Sequence, residues 1–518
     1  MSDRSTPQEW VGAWSEKRAA LTPEREGLVD ATTGERFTYA DLDRRANRTV
    51  RLLSDYGVDG GDSVAVVSRN RPAVVDLFFA TAKAGATLAP LSHRLAPPEL
   101  GELLARVDPT VLAVETPFAA DVADALSESG VDPTVVVLGG DAGGATSAFP
   151  DASSYDAALP ADGSPVETPT VAPEDPHLLL HTGGSTGTPK ETVLTHEGIV
   201  WNSVNTITAW GLRDDDVTPM VFPMFHTGGW NVLTVPLWHM GGTVVVAREF
   251  DPGQVLSVID EEGGTVLVAV PAVLRMMADH DDWDSADLSQ LRFAKSGGGP
   301  CRQSVMETWW DRGVDLSQGY GLTECGPNNF AMPDGWPREK ADAVGKPALH
   351  VDARIVDDEG DPVEQGEIGE LVLRSPHAAA GYLDNPEETA ATFGTFVATG
   401  DLAREDADGY YHIEGRKKEM YVSGGENVYP AEVEDAIADH HAVEEVVVIP
   451  VPDDQWGQVG KAVVQGEESL TLADLREFLD GRLAGFKHPR HLAFIGEMPT
   501  SGPSKIDRQA VEAEFGPE

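Results

Sequence analysis

Residues 181–190 read His-Thr-Gly-Gly-Ser-Thr-Gly-Thr-Pro-Lys, and they directly follow the apolar run Leu178-Leu179-Leu180. The apolar run predicts a short buried strand, and the glycines after it let backbone N–H groups approach an anion closely. Successive N–H groups form a concave nest for phosphate, to which the hydroxyls add donors and Lys190 adds a positive charge. The stretch therefore predicts a loop that holds the phosphates of a nucleotide. The alternative is an ordinary Gly/Thr surface loop.

This loop is not a Walker A loop. That motif requires Gly-x-x-x-x-Gly-Lys-[Ser/Thr], whereas Gly187 is followed here by Thr-Pro-Lys. A kinase-type nucleoside triphosphatase, which would release ADP or phosphate, is therefore disfavoured.

The charge balance of the chain is extreme. Over 518 residues it carries 86 acidic residues against 38 Lys and Arg, a formal net charge of −48, and the acidic residues are spread along the whole chain. Nucleic acid is disfavoured as a partner, because phosphate binding needs a basic footprint. The apolar segments between the acidic residues argue against disorder. Since molar salt shortens the screening length to about 3 Å, we interpret the charge as an adaptation to a very salty, halophilic cytoplasm.

Cysteine usage and hydropathy bear on the compartment. Cys301 and Cys325 form no Cys-x-x-Cys pair, which excludes a cysteine-based zinc site and is typical of a reducing cytosol. The stretch Met1-Ser2-Asp3-Arg4-Ser5 lacks the apolar core of a signal peptide, and no apolar run approaches the roughly 20 residues that span a bilayer. We therefore expect a cytoplasmic protein without a membrane span. The oligomeric state is left open, and a homodimer is one arrangement that the sequence allows.

The order of segments predicts an α/β fold with more than one domain, as the length of the chain also requires. Residues 64–340 alternate between strand-like and helix-like segments, which predicts a parallel sheet covered by helices on both faces. Residues 139–175 are rich in small and polar residues and predict a surface connection. Residues 340–413 contain short alternating segments typical of a β subdomain. After Gly415 the α/β pattern returns over about 100 residues, enough for a small separate domain.

Further glycine-containing blocks carry chemically useful residues. Ser296-Gly297-Gly298-Gly299-Pro300 directly follows a predicted strand, where ligands bind in doubly wound sheets. In the block Gln318–Glu324, Tyr320 could stack on a flat base and Glu324, with a neighbouring hydroxyl, could bind Mg²⁺. Each block taken alone is also typical of a turn.

Three more blocks follow towards the end of the chain. In Thr399-Gly400-Asp401, the carboxylate could accept hydrogen bonds from ribose hydroxyls. Gly415–Glu419 is followed by Ser423–Asn427, and Ser501–Lys505 lies near the end. For the paired lysines Lys417 and Lys418, a solvated surface is the alternative interpretation.

Taken together and in order, the blocks are far more specific than any one of them. From about residue 28 to residue 510 the chain resembles the AMP-forming acyl-adenylate superfamily, which includes acyl-CoA synthetases, the adenylation domains of peptide synthetases and beetle luciferases. Five segments carry the resemblance: the phosphate loop Thr182–Lys190, the motif Gly319–Glu324, Thr399-Gly400-Asp401, the hinge segment Gly415–Glu419, and Lys505 at the place of the catalytic lysine.

The resemblance implies a fold and a reaction. It implies a large N-terminal adenylate-forming domain of doubly wound sheets over residues 1–415, with the β subdomain at about 340–413, a hinge at 416–418 and a small mobile α+β lid over 419–518. A small carboxylic acid attacks the α-phosphorus of ATP with Mg²⁺, which gives acyl-adenylate and pyrophosphate. The lid then rotates about Lys418, and the thiol of coenzyme A, the co-substrate, attacks the adenylate and releases AMP.

The resemblance also implies residue roles. Lys505, with Mg²⁺, would add positive charge at the α-phosphate, and Thr323 and Glu324 would lie near that phosphate and the metal, with Glu324 as the metal ligand. Tyr320 would stack on adenine, and Asp401 and Arg416 would hold the ribose. The implied nucleotide-binding set is Thr182, Gly183, Gly184, Ser185, Thr186, Gly187, Lys190, Gly297, Gly298, Gly319, Tyr320, Gly321, Asp401 and Arg416.

The segment Phe225-His226-Thr227-Gly228-Gly229 resembles the aromatic-His segment at the mouth of the family's acyl pocket. His226 would line or gate that pocket as part of the catalytic set, with a satisfied core histidine as the alternative. Gly229 and Trp230 would line it too, and Trp230, Val232 and Leu233 follow on a predicted helix that would form an apolar wall. No residue is a clear partner for an amino group, which disfavours amino-acid adenylation.

We predict a medium- or long-chain fatty acid as the substrate. An aromatic acid of the cinnamate or o-succinylbenzoate type is the alternative within the enzyme class. An inactive nucleotide-binding homologue is the alternative outside it.

The segments Ser423–Tyr429 and Val451–Gly457 resemble the CoA-ligase branch, in which Ser423, Gly424 and Gly425 would border the pantetheine tunnel. Lys461 and Lys487 are candidate cations for the CoA phosphates. The chain departs from the family pattern at three positions: Gly183 stands where Ser is frequent, Glu191 follows Lys190 where Gly is usual and could weaken its charge, and Ser504 precedes Lys505 where Gly is common.

Overall fold

The computed structural model describes residues 10–139, 147–182, 190–423, 426–453, 456–500 and 506–516. In these ranges the helices are α1 (Trp14–Leu21), α2 (Tyr39–Asp55), α3 (Pro72–Ala84), α4 (Pro97–Val107), α5 (Ala119–Ser129), α6 (Tyr155–Ala158), α7 (His196–Trp210), α8 (Thr234–Met240), α9 (Pro252–Glu261), α10 (Pro271–Ala278), α11 (Gln303–Asp311), α12 (Pro386–Thr392), α13 (Pro430–Ala438), α14 (Leu472–Leu479) and α15 (Arg508–Phe515). Among the described residues, no helix combines the length and the apolar character needed to cross a membrane.

The strands of the same ranges are β1 (Glu26–Asp30), β2 (Glu35–Thr38), β3 (Ser63–Val67), β4 (Thr87–Leu91), β5 (Val111–Glu115), β6 (Thr134–Leu138), β7 (Ser153–Ser154), β8 (Pro176–Thr182), β9 (Lys190–Thr195), β10 (Val217–Met220), β11 (Thr243–Val246), β12 (Val266–Ala269), β13 (Phe293–Ser296), β14 (Leu316–Gln318), β15 (Phe330–Ala331), β16 (Lys346–Pro347), β17 (Asp352–Val356), β18 (Gly369–Arg374), β19 (Gly381–Tyr382), β20 (Val397–Glu405), β21 (Tyr411–Arg416), β22 (Tyr421–Ser423), β23 (Glu426–Val428), β24 (Val443–Asp453), β25 (Gly457–Gly466) and β26 (His491–Phe494).

The largest sheet has eight strands in the order β19-β9-β8-β4-β3-β5-β6-β7. Six of them, from β8 to β7, are parallel, as the alternation of segments predicts, but β9 and β19 are antiparallel additions at one edge. The reason is length: only residues 183–189 separate β8 from β9, whereas a parallel crossover needs a dozen or more residues. The predicted phosphate loop therefore lies between two antiparallel strands in the chain order.

Smaller sheets complete the large domain. Strands β12, β13 and β14 form a parallel sheet, and β10-β11-β1-β2 form a second, mixed one. The four strands β17-β18-β20-β21 are antiparallel and fall in the region where the sequence predicts a β subdomain. The described α/β architecture is the one that the sequence predicts for the fold class.

The C-terminal region has its own sheet and its own core. Its strands run β23-β22-β25-β24, with β26 beside β25, and α13 and α14 pack on one face with buried Val433, Val448 and Leu475. Glu445 on β24 meets two arginines of the large domain, at 3.2 Å from Arg275 and 3.5 Å from Arg302. These ion pairs hold the region against the large domain.

Two histidines are buried together in the core of the large domain. His177 on β8 and His196 at the start of α7 stack with ring centroids 4.8 Å apart and an interplanar angle of 7°. Burial is the main cause that lowers the pKa of His177 well below its ordinary value and the pKa of His196 to about 4. Both rings are therefore neutral in the folded chain near pH 7.

Two expectations on local structure need correction. The segment from Trp230 to Leu233 precedes a helix instead of forming one: a 3-10 turn covers Thr227–Gly229, and α8 begins at Thr234. Pro236 explains this start, because proline is tolerated in the first turn of a helix and not in its interior. The predicted surface connection also contains β7 and α6, which is anchored by the buried side chain of Tyr155.

Candidate active site

Two glycine-containing blocks meet at the carboxyl ends of β13 and β14. The N–H of Gly319 donates to the Ser296 carbonyl at 2.7 Å, which ties the end of one strand to the end of the next. A Cβ at Gly321 would lie 2.1 Å from the carbonyl carbon of Pro327, so only glycine fits there. Gly298 adopts a φ of +84°, in the left-handed region that favours glycine. The backbone path that brings Tyr320 and Glu324 to this edge therefore depends on these glycines.

Tyr320, Asp401 and Arg416 come together, as the nucleotide-binding assignment requires. The Tyr320 hydroxyl donates to Oδ2 of Asp401 at 2.5 Å, and Nε of Arg416 lies 2.8 Å from Oδ1. Asp401 and Arg416 are register partners on β20 and β21, and Asp401 is only 5% exposed. A buried carboxylate with a cation and a phenol beside it can accept further hydrogen bonds from ribose hydroxyls.

Glu324 lies in a one-turn 3-10 helix, Thr323–Cys325, and is half-buried. Its Oε1 accepts a hydrogen bond from the Tyr382 hydroxyl at 2.9 Å. Burial, followed by the Glu324 charge, raises the pKa of Tyr382, which keeps the phenol protonated as a donor. Tyr382 was not predicted as a site residue from the sequence. Its only local signal is an aromatic residue beside the Gly381 turn, which is too common to interpret.

Lys190 begins β9 and is paired. Its Nζ lies 2.5 Å from Oε2 of Glu388 on α12 and 5.2 Å from the centroid of the Tyr382 ring. Glu191 points to the opposite face, because side chains alternate along a strand, and it lies 3.2 Å from Nε of Arg106. Burial raises the pKa of Glu191 to about 7. The carboxylate that meets Lys190 is therefore Glu388, and Glu191 does not weaken Lys190 in the predicted way.

The predicted acyl-pocket residues are placed differently from one another. His226 is half-buried, with its ring 4.5 Å from Phe225 and 6.0 Å from His181. Trp230 is fully buried: its ring stacks on Phe78 at 4.8 Å and its N–H donates to the Met224 carbonyl. The Trp230 ring thus belongs to the core. Gly229 is fixed by packing as well, since a Cβ there would lie 2.5 Å from the Pro223 carbonyl oxygen.

A narrow cavity of about 10 Å³ lies behind the His226 segment. It is lined mainly by apolar groups from β10, β12 and the segment before α8, namely Thr218, Pro219, Met220, Val221, Phe222, Gly228, Val232, Leu233, Thr234 and Val268. A cavity of this size holds about one water molecule, so it does not accommodate a carboxylic acid in this structure.

Lys295 on β13 is a buried lysine. It is the register partner of Val268, so both side chains lie on the same face of the sheet. Its Nζ lies 3.2 Å from the Ser317 hydroxyl and 5.1 Å from the Trp210 ring, and burial lowers its pKa to about 8. In the described residues no carboxylate is in ion-pair contact with it. Lys295 was not predicted from the sequence, because a strand sequence does not show which neighbours a lysine meets across a sheet.

The hinge and CoA assignments are only partly described. Lys418 is exposed in the turn after β21, where the N–H of Glu419 donates to the Arg416 carbonyl at 3.0 Å. Ser423 is buried at the end of β22. Several of the predicted site residues lie outside the described residues. They are Lys505, the loop residues Gly183, Gly184, Ser185, Thr186 and Gly187, and the predicted CoA-binding glycines Gly424 and Gly425.

The two candidate cations for CoA are already engaged by the protein. Nζ of Lys487 lies 2.5 Å from Glu432, and Nζ of Lys461 donates to the Phe515 carbonyl at 2.7 Å. Arg490 instead stacks on the Trp456 ring at 4.6 Å. Within the described part of the chain it makes no ion pair. The structure thus offers Arg490 as a more available cation than either lysine.

Comparison with known proteins identifies the family of this chain. The model of the AMP-binding enzyme family matches residues 15–383, and that of the AMP-binding enzyme C-terminal domain matches residues 432–505. The chain is 38% identical to a feruloyl-CoA synthase of an Amycolatopsis species, covering 98% of this chain and 99% of the relative.

Two further relatives and one solved structure extend this result. An indoleacetate–CoA ligase of Aromatoleum aromaticum is 36% identical, with 97% of each chain covered. The long-chain-fatty-acid–CoA ligase FadD13 of Mycobacterium tuberculosis is 30% identical, with 98% of each covered. The crystal structure of the anthranilate CoA ligase AuaEII with anthranoyl-AMP matches with a TM-score of 0.88 at 27% identity, over 98% of this chain and 97% of that one. The chain therefore belongs to the AMP-binding enzyme family, and its identification from sequence as an AMP-forming acid–CoA ligase is confirmed.

Proposed function

We propose that this ligase activates an aromatic carboxylic acid of the cinnamate type and transfers it to coenzyme A. The observation that carries the aromatic part is the order of sequence identity: two ligases named for aromatic acids, at 38% and 36%, are more similar to this chain than the fatty-acid ligase FadD13 at 30%. The feruloyl-CoA and indoleacetate relatives, which are named for acids with a polar group on an aromatic ring, support the same choice.

The fatty acid that the sequence analysis placed first becomes the second candidate. The similarity to FadD13 favours it. The two candidates differ in whether the preferred acid carries an aromatic ring, which makes them separable by a panel of acids.

In the first half-reaction, the triphosphate would replace Glu388 as the partner of Lys190, while Tyr320, Asp401 and Arg416 hold the nucleoside. The donor set at Glu324 fits Mg²⁺, which prefers oxygen ligands and usually takes one or two carboxylates together with substrate phosphates. When bound, the metal would neutralise charge that develops on the phosphates. Glu324 would hold it through the carboxylate oxygen that Tyr382 does not occupy. Lys505 keeps its implied role at the α-phosphate.

In the second half-reaction, rotation at Lys418 would bring the segment around Ser423 to the adenylate. CoA is a polyanion with a flat adenine, so a half-buried arginine stacked on a tryptophan is suited to its nucleotide end. We therefore place Arg490 and Trp456 ahead of Lys461 and Lys487 as CoA contacts.

The test is release of pyrophosphate and AMP from MgATP in high KCl. Three matched acids are supplied, 4-hydroxycinnamate, cinnamate and decanoate, each with and without CoA. We expect acid-dependent pyrophosphate with 4-hydroxycinnamate and CoA-dependent turnover to AMP. A higher kcat/KM with decanoate would overturn the aromatic proposal in favour of the fatty acid. Pyrophosphate without CoA turnover would indicate another acceptor, such as a carrier-protein thiol, and ATP binding without any release would indicate an inactive homologue.

A further inference from the structure

Tyr382 contacts both of the charged side chains that we assign to the phosphates and the metal. Its hydroxyl donates to Oε1 of Glu324 at 2.9 Å, and its ring lies 5.2 Å below the ammonium of Lys190. The carboxylate and the ammonium belong to different elements, the 3-10 turn after β14 and the start of β9. The Tyr382 side chain therefore contacts two charged groups that come from separate parts of the chain.

The backbone fixes Tyr382 independently of Glu324. Tyr382 is the register partner of Thr192 in the antiparallel pairing of β19 with β9. Its N–H donates to the Thr389 hydroxyl at 2.9 Å, and its ring packs edge-on against Phe393 at 5.3 Å. Gly381, with φ of +146°, allows this approach, because a Cβ there would lie 2.6 Å from Thr389. The phenol is thus a rigid reference point.

The Glu324 side chain has no comparable support. It extends from a single 3-10 turn, and in the described residues Tyr382 is the group that hydrogen-bonds to its carboxylate. A glutamate side chain has several rotatable bonds, and ordering them costs conformational entropy when a metal binds. This cost is small if another group has already oriented the side chain. Partners of this kind, next to a metal ligand, are known to set metal affinity.

We propose that Tyr382 is a positioning residue for the divalent cation: by occupying Oε1 of Glu324 it directs the second oxygen to the metal, in register with Lys190. This inference rests on the proposed role of Glu324 as the metal ligand. The Lys190 contact uses the ring of Tyr382 and the Glu324 contact uses its hydroxyl, so the two can be separated by mutation.

The decisive variant is Tyr382→Phe, which keeps the ring, the packing on Phe393 and the contact with Lys190. We expect Mn²⁺ binding in the presence of a non-hydrolysable ATP analogue, followed by electron paramagnetic resonance, to weaken about 10- to 100-fold. The Mg²⁺ concentration for half-maximal pyrophosphate release should rise by the same factor. Binding of the ATP analogue without metal should stay unchanged.

Tyr411→Phe is the matched control. It also removes a tyrosine hydroxyl from a glutamate, since Tyr411 donates to Glu405 at 3.3 Å in the antiparallel sheet of residues 352–416. We expect wild-type Mn²⁺ binding in this variant and similar thermal unfolding of both variants. In a Glu324→Gln background, Tyr382→Phe should add no further loss, because the group it positions is already altered.

The outcomes distinguish the inference from the proposal beneath it. Wild-type Mn²⁺ affinity in Tyr382→Phe would overturn the positioning role, as would equal, additive losses in the Glu324→Gln background. If Glu324→Gln itself leaves Mn²⁺ affinity unchanged, the assignment of the metal ligand is wrong, and the positioning role falls with it.

Discussion

Replacing Lys295 by methionine should stabilise the large domain, because it removes a buried charge that has no carboxylate in ion-pair contact among the described residues. Burial lowers the pKa of Lys295 from 10.5 to about 8. At about 1.4 kcal/mol per pKa unit, holding the charged form in the fold costs about 3 kcal/mol. Lys295→Met keeps most of the stem and removes the charge, so the free energy of unfolding at pH 7 should rise by up to about 3 kcal/mol.

The pH dependence gives a second signature of the same effect. Because the folded pKa lies below the unfolded pKa, the unfolded chain holds more protons than the folded chain between about pH 8 and 10.5. The cost is therefore complete below pH 8, and wild-type stability should gain from this group as the pH rises through that window. Lys295→Met should lack this gain.

The assay is urea unfolding in high KCl, followed by tryptophan fluorescence at several pH values from 7 to 10.5. Lys83→Met is the matched control, because Lys83 is also a buried lysine but is paired with Asp43 at 2.7 Å. Removing the Lys83 ammonium leaves the Asp43 carboxylate without its cation, so the free energy of unfolding should fall by about 3–5 kcal/mol. Equal destabilisation by both variants, or no difference in their pH profiles, would refute the reasoning.

Three further predictions concern charge. Glu388→Gln should tighten ATP binding roughly 2- to 5-fold, because it frees Lys190 from a partly exposed partner; calorimetry checks this, Glu387→Gln is the control on the same helix, and unchanged affinity would contradict it. Glu445→Gln removes the contacts with Arg275 and Arg302, so it should change the ratio of single-turnover rates of the two half-reactions by about 2- to 5-fold, and an unchanged ratio would argue against a moving lid. Finally, the urea concentration at half-unfolding should rise when KCl is increased from about 0.1 M to roughly 3 M, because salt screens the repulsion between carboxylates. An unchanged midpoint across this range would contradict the salt-adaptation hypothesis.

The parts of this protein that depend on local patterns could be predicted from the sequence. The strand before the loop, the glycine blocks at the strand ends and the Gly319–Glu324 motif are each contiguous, so their chemistry is readable without a structure. The meeting of Tyr320, Asp401 and Arg416 was inferred from resemblance, and the distances agree with that inference.

The rest depends on how distant segments meet. Lys190 was expected to act as a phosphate-binding cation, but its Glu388 partner comes from a helix almost 200 residues later. The face that Glu191 occupies follows from strand alternation only once the strand's register is known. Lys295 and Tyr382 were missed because their importance comes from which neighbours they meet across a sheet, and a single sequence does not report pairing between strands.

The stacked pair of His177 and His196 sets an acid limit for this molecule. Imidazoles that are neutral when folded and have an unfolded pKa near 6.5 take up protons on unfolding, so stability falls as the pH drops below about 6.5. For His196, with a folded pKa of about 4, the loss reaches about 3 kcal/mol near pH 4. Mild acid also neutralises the carboxylates whose repulsion burdens a chain of charge −48. Acidification would thus reduce the repulsion between surface carboxylates but favour protonation of the buried histidines. A neutral buffer with added salt reduces the same repulsion without that loss of stability.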